Sequence, residues 1–259
     1  MNHANNARVC ELYLQFDDTN VEHAKAQLEI KQLLKKHCYQ DTLEIFLKLA
    51  TQGDRIFQHN AGVLFQCIEQ VRNYDLAFDW YQAAVAQDYA PAKERLGSMY
   101  EFGDGGLPID LSAAVRLYRE SSDQGNLHSI YNLGMILARG SSCTAQNLPV
   151  AERLLIRAAR QGHALMKLNL GIIYLEVLGN ETRANAWFKK AYEQDSYVSI
   201  DLGDYYLDRY ERHVSGNSSA LSHYWFAIAI ACGYEKDVLT FFQNDTAVMS
   251  AFKSQSRLH

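Results

Sequence analysis

A Leu-Gly pair returns along this chain at nearly constant spacing, and that return constrains the fold more than any other feature. It stands in "RLGSMY", "NLGMIL", "NLGIIY" and "DLGDYY", with a degenerate form in "NAGVLF". The glycines are Gly62, Gly97, Gly134, Gly171 and Gly203, at intervals of 35, 37, 37 and 32 residues. A second series, Gly53, Asp88, Gly125, Gly162, Asp195 and Gly233, keeps step at 35, 37, 37, 33 and 38. Two series in phase mark a chain made of one supersecondary unit, stacked repeatedly on its neighbours.

Each unit reads as two helices. The first carries the Leu-Gly pair, with Tyr100, Leu137, Tyr174 or Tyr206 three positions after the glycine and on the same helical face. A glycine in mid-helix costs about 1 kcal/mol against alanine, so its recurrence implies two backbones in close contact. The second helix carries a bulky pair: Trp80-Tyr81, Leu117-Tyr118, Leu154-Leu155, Trp187-Phe188 or Trp225-Phe226. Small residues follow, then the closing glycine or aspartate. Glycine there suits the left-handed residue that ends a helix. Pro108 and Pro149 fall between helices, and Pro91 opens one, where its missing N–H is harmless.

The order Ala, Leu-Gly, Tyr, a glycine-containing loop, Asp, Ala, an aromatic pair, Ala-Ala and Gln-Gly resembles the Sel-1-like repeat, a relative of the tetratricopeptide repeat. The best copy is "APAKERLGSMYEFGDGGLPIDLSAAVRLYRESSDQGN", Ala90 to Asn126. The resemblance implies an all-α fold, a right-handed α/α superhelical solenoid of Sel-1-like, tetratricopeptide-like helical hairpins. The expected organisation is N-terminal helices or a degenerate capping repeat over 1–40, with a helix near Ala4 to Phe16. The repeat solenoid follows over 41–234, and capping helices over 235–259.

Composition and motifs exclude several function classes. An apolar content of 48% against 21% charged residues is that of a globular chain. A net charge of -5 gives no general attraction to nucleic acid or an anionic membrane. The longest apolar run, "YWFAIAIACGY", is too short to insert across a bilayer. No basic segment followed by an apolar run opens the chain, and the five cysteines contain no C-x-x-C, so reduced thiols in the cytoplasm are expected. No nucleophile elbow, zinc-protease motif, P-loop or dinucleotide fingerprint occurs. "GDGG" at Gly103 to Gly106 lacks the Lys-Ser/Thr of a phosphate loop and reads as an inter-helix turn. The expectation is a non-enzymatic protein without cofactor or metal. His213 and His223, which flank one loop, are the only pair that merits inspection as ligands.

Binding is the remaining function. Asp201, Asp204 and Asp208 share a helix face, which suits a cation, a basic peptide or plain solvation. Arg153, Arg157 and Arg160 form a comparable stripe on a second helix. In solenoids of the resembled type the first helices line the concave side. The stripe expected there lies six and three residues before each glycine and one and four after it. It is polar at Pro91, Glu94, Ser98 and Glu101. It is apolar where His128, Tyr131, Met135 and Ala138 meet Leu165, Leu168, Ile172 and Leu175. Tyr131, Met135, Leu168 and Ile172 are therefore candidate partner-binding residues, unless the stripe belongs to the core. The implied function is a scaffold or adaptor that docks a protein or peptide on its concave face. The alternative is a bacterial immunity protein that neutralises a cognate toxin, with Asp201, Asp204 and Asp208 as contact surface.

Overall fold

A computed structural model describes residues 14–211 apart from 18 and 37, together with Phe226; within 206–211 only the backbone is described. All regular structure among these residues is helical: α1 Val21–Lys35, α2 Tyr39–Ala50, α3 Arg55–Cys67, α4 Tyr74–Val85, α5 Ala90–Phe102, α6 Leu111–Asp123, α7 Leu127–Arg139, α8 Leu148–Gln161, α9 Ala164–Glu176, α10 Glu181–Gln194 and α11 Val198–Glu211, with short 3-10 turns at Glu69–Val71 and Asp104–Gly106. The chain divides into two compact units, Met1–Ala151 and Glu152–His259, with the boundary inside α8. The fold is an all-α helical solenoid. Of the helix expected near Ala4 to Phe16, residues 14–16 run without regular structure, and the rest lies outside the described residues, as do the expected caps over 235–259.

The recurring glycines do permit a close approach, but of a side-chain ring rather than of the second backbone expected from the sequence. A Cβ at Gly62 would stand 2.6 Å from the Tyr81 ring, and one at Gly97 would stand 2.9 Å from the Tyr118 ring. In the second unit, Gly171 faces Phe188 at 2.4 Å and Gly203 faces Phe226 at 2.7 Å. In each case the first helix presents bare backbone to the second member of the bulky pair on its own partner helix. All four rings are fully buried. The residue four positions after the glycine matches the ring. Tyr81 donates to Gln66 Oε1 at 2.9 Å, and Tyr118 donates to Glu101 Oε2 at 2.7 Å. Where the ring is phenylalanine and needs no acceptor, the sequence places Leu175 and Leu207 instead.

The turn between the helices is closed by one repeated bond. The N–H of the residue that caps the second helix donates to the carbonyl three residues past the glycine: Asn73 to Phe65, Asp110 to Tyr100, Asn147 to Leu137 and Asn180 to Tyr174, at 2.7–2.9 Å. Each side chain then accepts from the N–H three residues on, at Leu76, Ala113, Val150 and Arg183. The cap lies 11, 13, 13 and 9 residues after the glycine. Loop length varies while the bond is kept, so the loops "GSSCTAQNLP" and "LGNET" end on the same cap geometry.

Glutamines ahead of the closing series link one repeat to the next. Gln87 donates to the Gly53 carbonyl at 3.0 Å, Gln124 to Asp88 Oδ1 at 3.0 Å, and Gln194 to the Gly162 carbonyl at 3.4 Å. The left-handed expectation for the closing series holds at Gly53, Asp88 and Gly125, with φ of 91°, 58° and 88°. Asp195, which is not a glycine, is instead extended, with φ of -148°. Gly162 is glycine for a different reason, since its Cβ would meet the Ala158 carbonyl at 2.6 Å.

Gly171→Leu would drive a side chain into the Phe188 ring. Overpacking of this kind costs at least about 1–3 kcal/mol, so the urea midpoint is expected to fall. An unchanged midpoint would show that the ring does not pack on the glycine.

Candidate functional site

At Gly62, Gly97 and Gly171 the glycine face of the first helix is occupied by its own partner helix, and at Gly203 by the Phe226 ring. Residues three before and four after a glycine share that face, and so are drawn into packing. Leu168 is 3% exposed, Glu94 6% and Ala138 0%; Glu101 is held by Tyr118. Leu168 is therefore core, which corrects its expected place on a partner surface. The outward stripe is rotated away from the glycine. It runs through positions six and two before and one and five after it. Leu165 is 56% exposed and Phe102 66%; Arg139 and Glu176 are exposed, and Met135 and Ile172 are half-buried. Tyr131 is half-buried although it lies three before Gly134. Tyr131 and Met135 belong to the first unit, and Ile172 belongs to the second.

On α11 the same outward positions carry carboxylates. Asp201 is half-buried and Asp204 exposed; Asp208 lies on the helix, but its side chain is outside the described residues. Burial pushes the Asp201 carboxyl up to about 6, and the charges of Asp204 and Asp195 add to the shift. Among the described residues no group of three His, Cys, Asp or Glu side chains is arranged to hold a metal ion. His213 and His223 lie outside the described residues. No helix among the described residues is long and apolar enough to cross a membrane. The arginine stripe of α8, Arg153, Arg157 and Arg160, lines an open concavity of about 330 Å³ with Ile156 and Gln161.

One contact was not anticipated from the sequence. Residues 14–17, without regular structure, lie against α3, and the Asn60 carboxamide holds the backbone at Gln15. Gln15 N–H donates to Asn60 Oδ1 at 2.9 Å, and Asn60 Nδ2 donates to the Gln15 carbonyl at 2.6 Å. Leu14 and Phe16, on either side of Gln15, pack against the core. The Phe16 ring centroid lies 6.3 Å from that of Phe46 and 6.4 Å from that of Phe57. Asn60 is 0% exposed. It stands two residues before Gly62, on the outward stripe of its helix. The available signal is the asparagine in "HNAG", which returns in "YNLG" and "LNLG".

The chain matches the model of the Sel1 repeat at residues 66–89, 90–126, 127–163 and 168–196. It is similar to a protective antigen present in uropathogenic Escherichia coli strains that displays an SLR fold. The identity is 25% over 72% of this chain, with a TM-score of 0.57, and the chain spans only 40% of that antigen. It also shares its fold with a Sel1 repeat protein from Oxalobacter formigenes, at 19% identity and a TM-score of 0.59, covering 89% of this chain and 88% of that one. An immunity protein from Pseudomonas aeruginosa has the same fold at 17% identity and a TM-score of 0.52, covering 88% and 81%.

Leu168→Glu buries a charge without a partner and is expected to cost at least about 3 kcal/mol. Met135→Glu, on the outward stripe, is expected to cost about 1 kcal/mol or less. Chemical denaturation of the two variants checks this, and equal losses would place Met135 in the core. Asp201 gives a pH signature. Its folded pKa of about 6 lies above the ordinary carboxylate value of about 4. The folded state therefore holds the proton more tightly, and this group's contribution is fully present below pH ~4 and lost as pH rises through ~6. Asp201→Asn is expected to remove that loss. The difference between variant and parent denaturation midpoints should grow over that window and then level off, and a pH-independent difference would contradict the shift.

Proposed function

This chain belongs to the Sel1-repeat family, and on that footing we propose that it is a non-enzymatic interaction module that docks a protein or peptide on the outward stripe of its first helices. Sel1 repeats generally mediate protein–protein interaction. The observation that carries the reading is the set of large apolar side chains held toward solvent on those helices. In the first unit Phe102 is 66% exposed and Met135 half-buried; in the second, Leu165 is 56% exposed and Ile172 half-buried. A helix scaffold has no structural need for a phenylalanine so exposed, and large apolar side chains held toward solvent are what a partner can cover. Each such side chain can contribute roughly 1.5–3 kcal/mol on burial. Because the hairpins are preformed, little of this is lost to ordering on binding.

The acidic surface of α11 favours a second reading, an immunity protein that neutralises a basic toxin. Asp195, Asp201 and Asp204 lie near enough for two of them to raise the third's pKa. Like charges held together cost stability unless a cation or a basic partner meets them. Likeness to an immunity protein supports this reading at the level of fold alone.

Affinity capture from the native cell, repeated with Met135→Glu, Ile172→Glu and Asp204→Lys, separates the two. Loss of the captured protein with the first pair supports the apolar stripe. Loss with Asp204→Lys alone supports a basic partner. Capture unaffected by all three, with each variant folded, overturns both.

A further inference from the structure

The segment over residues 14–17 shows what the outward stripe of a first helix can hold. Its backbone is taken by a carboxamide two residues before the repeat glycine, through one bond accepted and one donated. Its side chains alternate: Gln15 is exposed, and Leu14 and Phe16 turn inward. Val63, the residue just past the glycine on the same stripe as Asn60, is 0% exposed.

The same two positions on α7, in the same compact unit, are Asn132 and Met135. Both are half-buried rather than buried. Asn132 Nδ2 reaches Glu94 Oε1 at 3.4 Å, and Asn132 Oδ1 accepts no hydrogen bond from the described residues. A separation of 3.4 Å is long for an N–H···O bond, so exchanging Glu94 for a peptide carbonyl sacrifices little. The carboxamide thus stands in the register used by Asn60, with its acceptor unused by any described residue and its donor weakly engaged.

We propose that Asn132 is a backbone clamp for an extended peptide segment of a partner protein, which would lie on α7 as residues 14–17 lie on α3. The peptide's N–H meets Asn132 Oδ1 and its carbonyl meets Asn132 Nδ2. The residues on either side of the clamped one carry apolar side chains, one of them against Met135. Recognition is of backbone plus alternating apolar side chains, which fits an extended stretch of polypeptide and excludes a helical ligand, whose backbone groups are already paired. The proposal rests on the protein-binding reading above and names the class of partner.

The full chain is panned against displayed random peptides, and the best binder is synthesised both unmodified and with each backbone amide N-methylated in turn. The unmodified peptide is expected to bind Asn132→Ala at least about tenfold more weakly than the parent. Methylation at one position should weaken binding to the parent by a similar factor and leave binding to Asn132→Ala unchanged. Asn132→Asp, which keeps an acceptor and loses the donor, is expected to lie between; it also serves if Asn132→Ala loses its helical circular dichroism. No enriched peptide, or equal affinity for parent and folded variants, overturns the clamp. So does binding confined to a peptide copying residues 11–20, which would make the occupant a second copy of this chain. If a captured partner depends on Met135 but not on Asn132, the clamp fails while the protein-binding reading stands.

Discussion

The contact between a bare stretch of first helix and a buried ring on the second is the interaction on which the rest of this structure depends. With no Cβ at Gly62, Gly97, Gly171 and Gly203, the ring approaches the helix more closely than any side chain would permit. The approach fixes how the two helices rotate about each other and which residues flank the ring. The hydroxyl of Tyr81 or Tyr118 then needs an acceptor, supplied one turn along the first helix. The residue three past the glycine offers its carbonyl to the N-cap of the second helix. With the hairpin held by ring, hydroxyl and cap, the connecting loop is free to change length.

The same contact decides what each first helix has left for other purposes. Its glycine face is largely taken up by packing, and the side chains most open to solvent lie on the stripe rotated away from it. That stripe varies from repeat to repeat. It reads Pro91, Arg95, Ser98, Phe102 on α5 and His128, Asn132, Met135, Arg139 on α7. In the second unit the corresponding positions are Leu165, Asn169, Ile172, Glu176 on α9 and Tyr197, Asp201, Asp204, Asp208 on α11. Framework and surface are thus carried by different residues of one helix. A change at an outward position leaves the ring contact intact, which lets a repeat protein acquire new partners without rebuilding its hairpins.

Much of this was legible in the sequence, for identifiable reasons. A glycine in mid-helix is costly enough that its fivefold return required a close approach, and the bulky pairs downstream supplied the ring. The outward stripe was harder to place. The glycine marks a contact face without naming the helix that meets it, and a rotation of less than a quarter turn separates Leu168 in the core from Leu165 in solvent. The closing series misled at Gly162, because glycine can answer crowding instead of φ. The Asn60 clamp was out of reach. Its partner lies 45 residues earlier in the sequence, and an asparagine on a helix face reads as solvated until the covering segment is seen.

Asp201 joins the acidic surface to stability. A carboxyl with a folded pKa of about 6 is mostly ionised at neutral pH, and it ionises at the expense of the folded state. A repeat whose only task was packing would gain from asparagine at this position. Retaining the acid is economical when something else stabilises the charge, and a cationic side chain from a partner does so by pulling the pKa back down. Linkage then runs both ways: the partner binds the ionised form more tightly, and the complex recovers the stability that the free protein loses between pH ~4 and ~6. A partner held by the apolar stripe alone leaves the titration of Asp201 where it was. The pH dependence of affinity therefore reports which part of the outward surface is in contact, independently of any substitution.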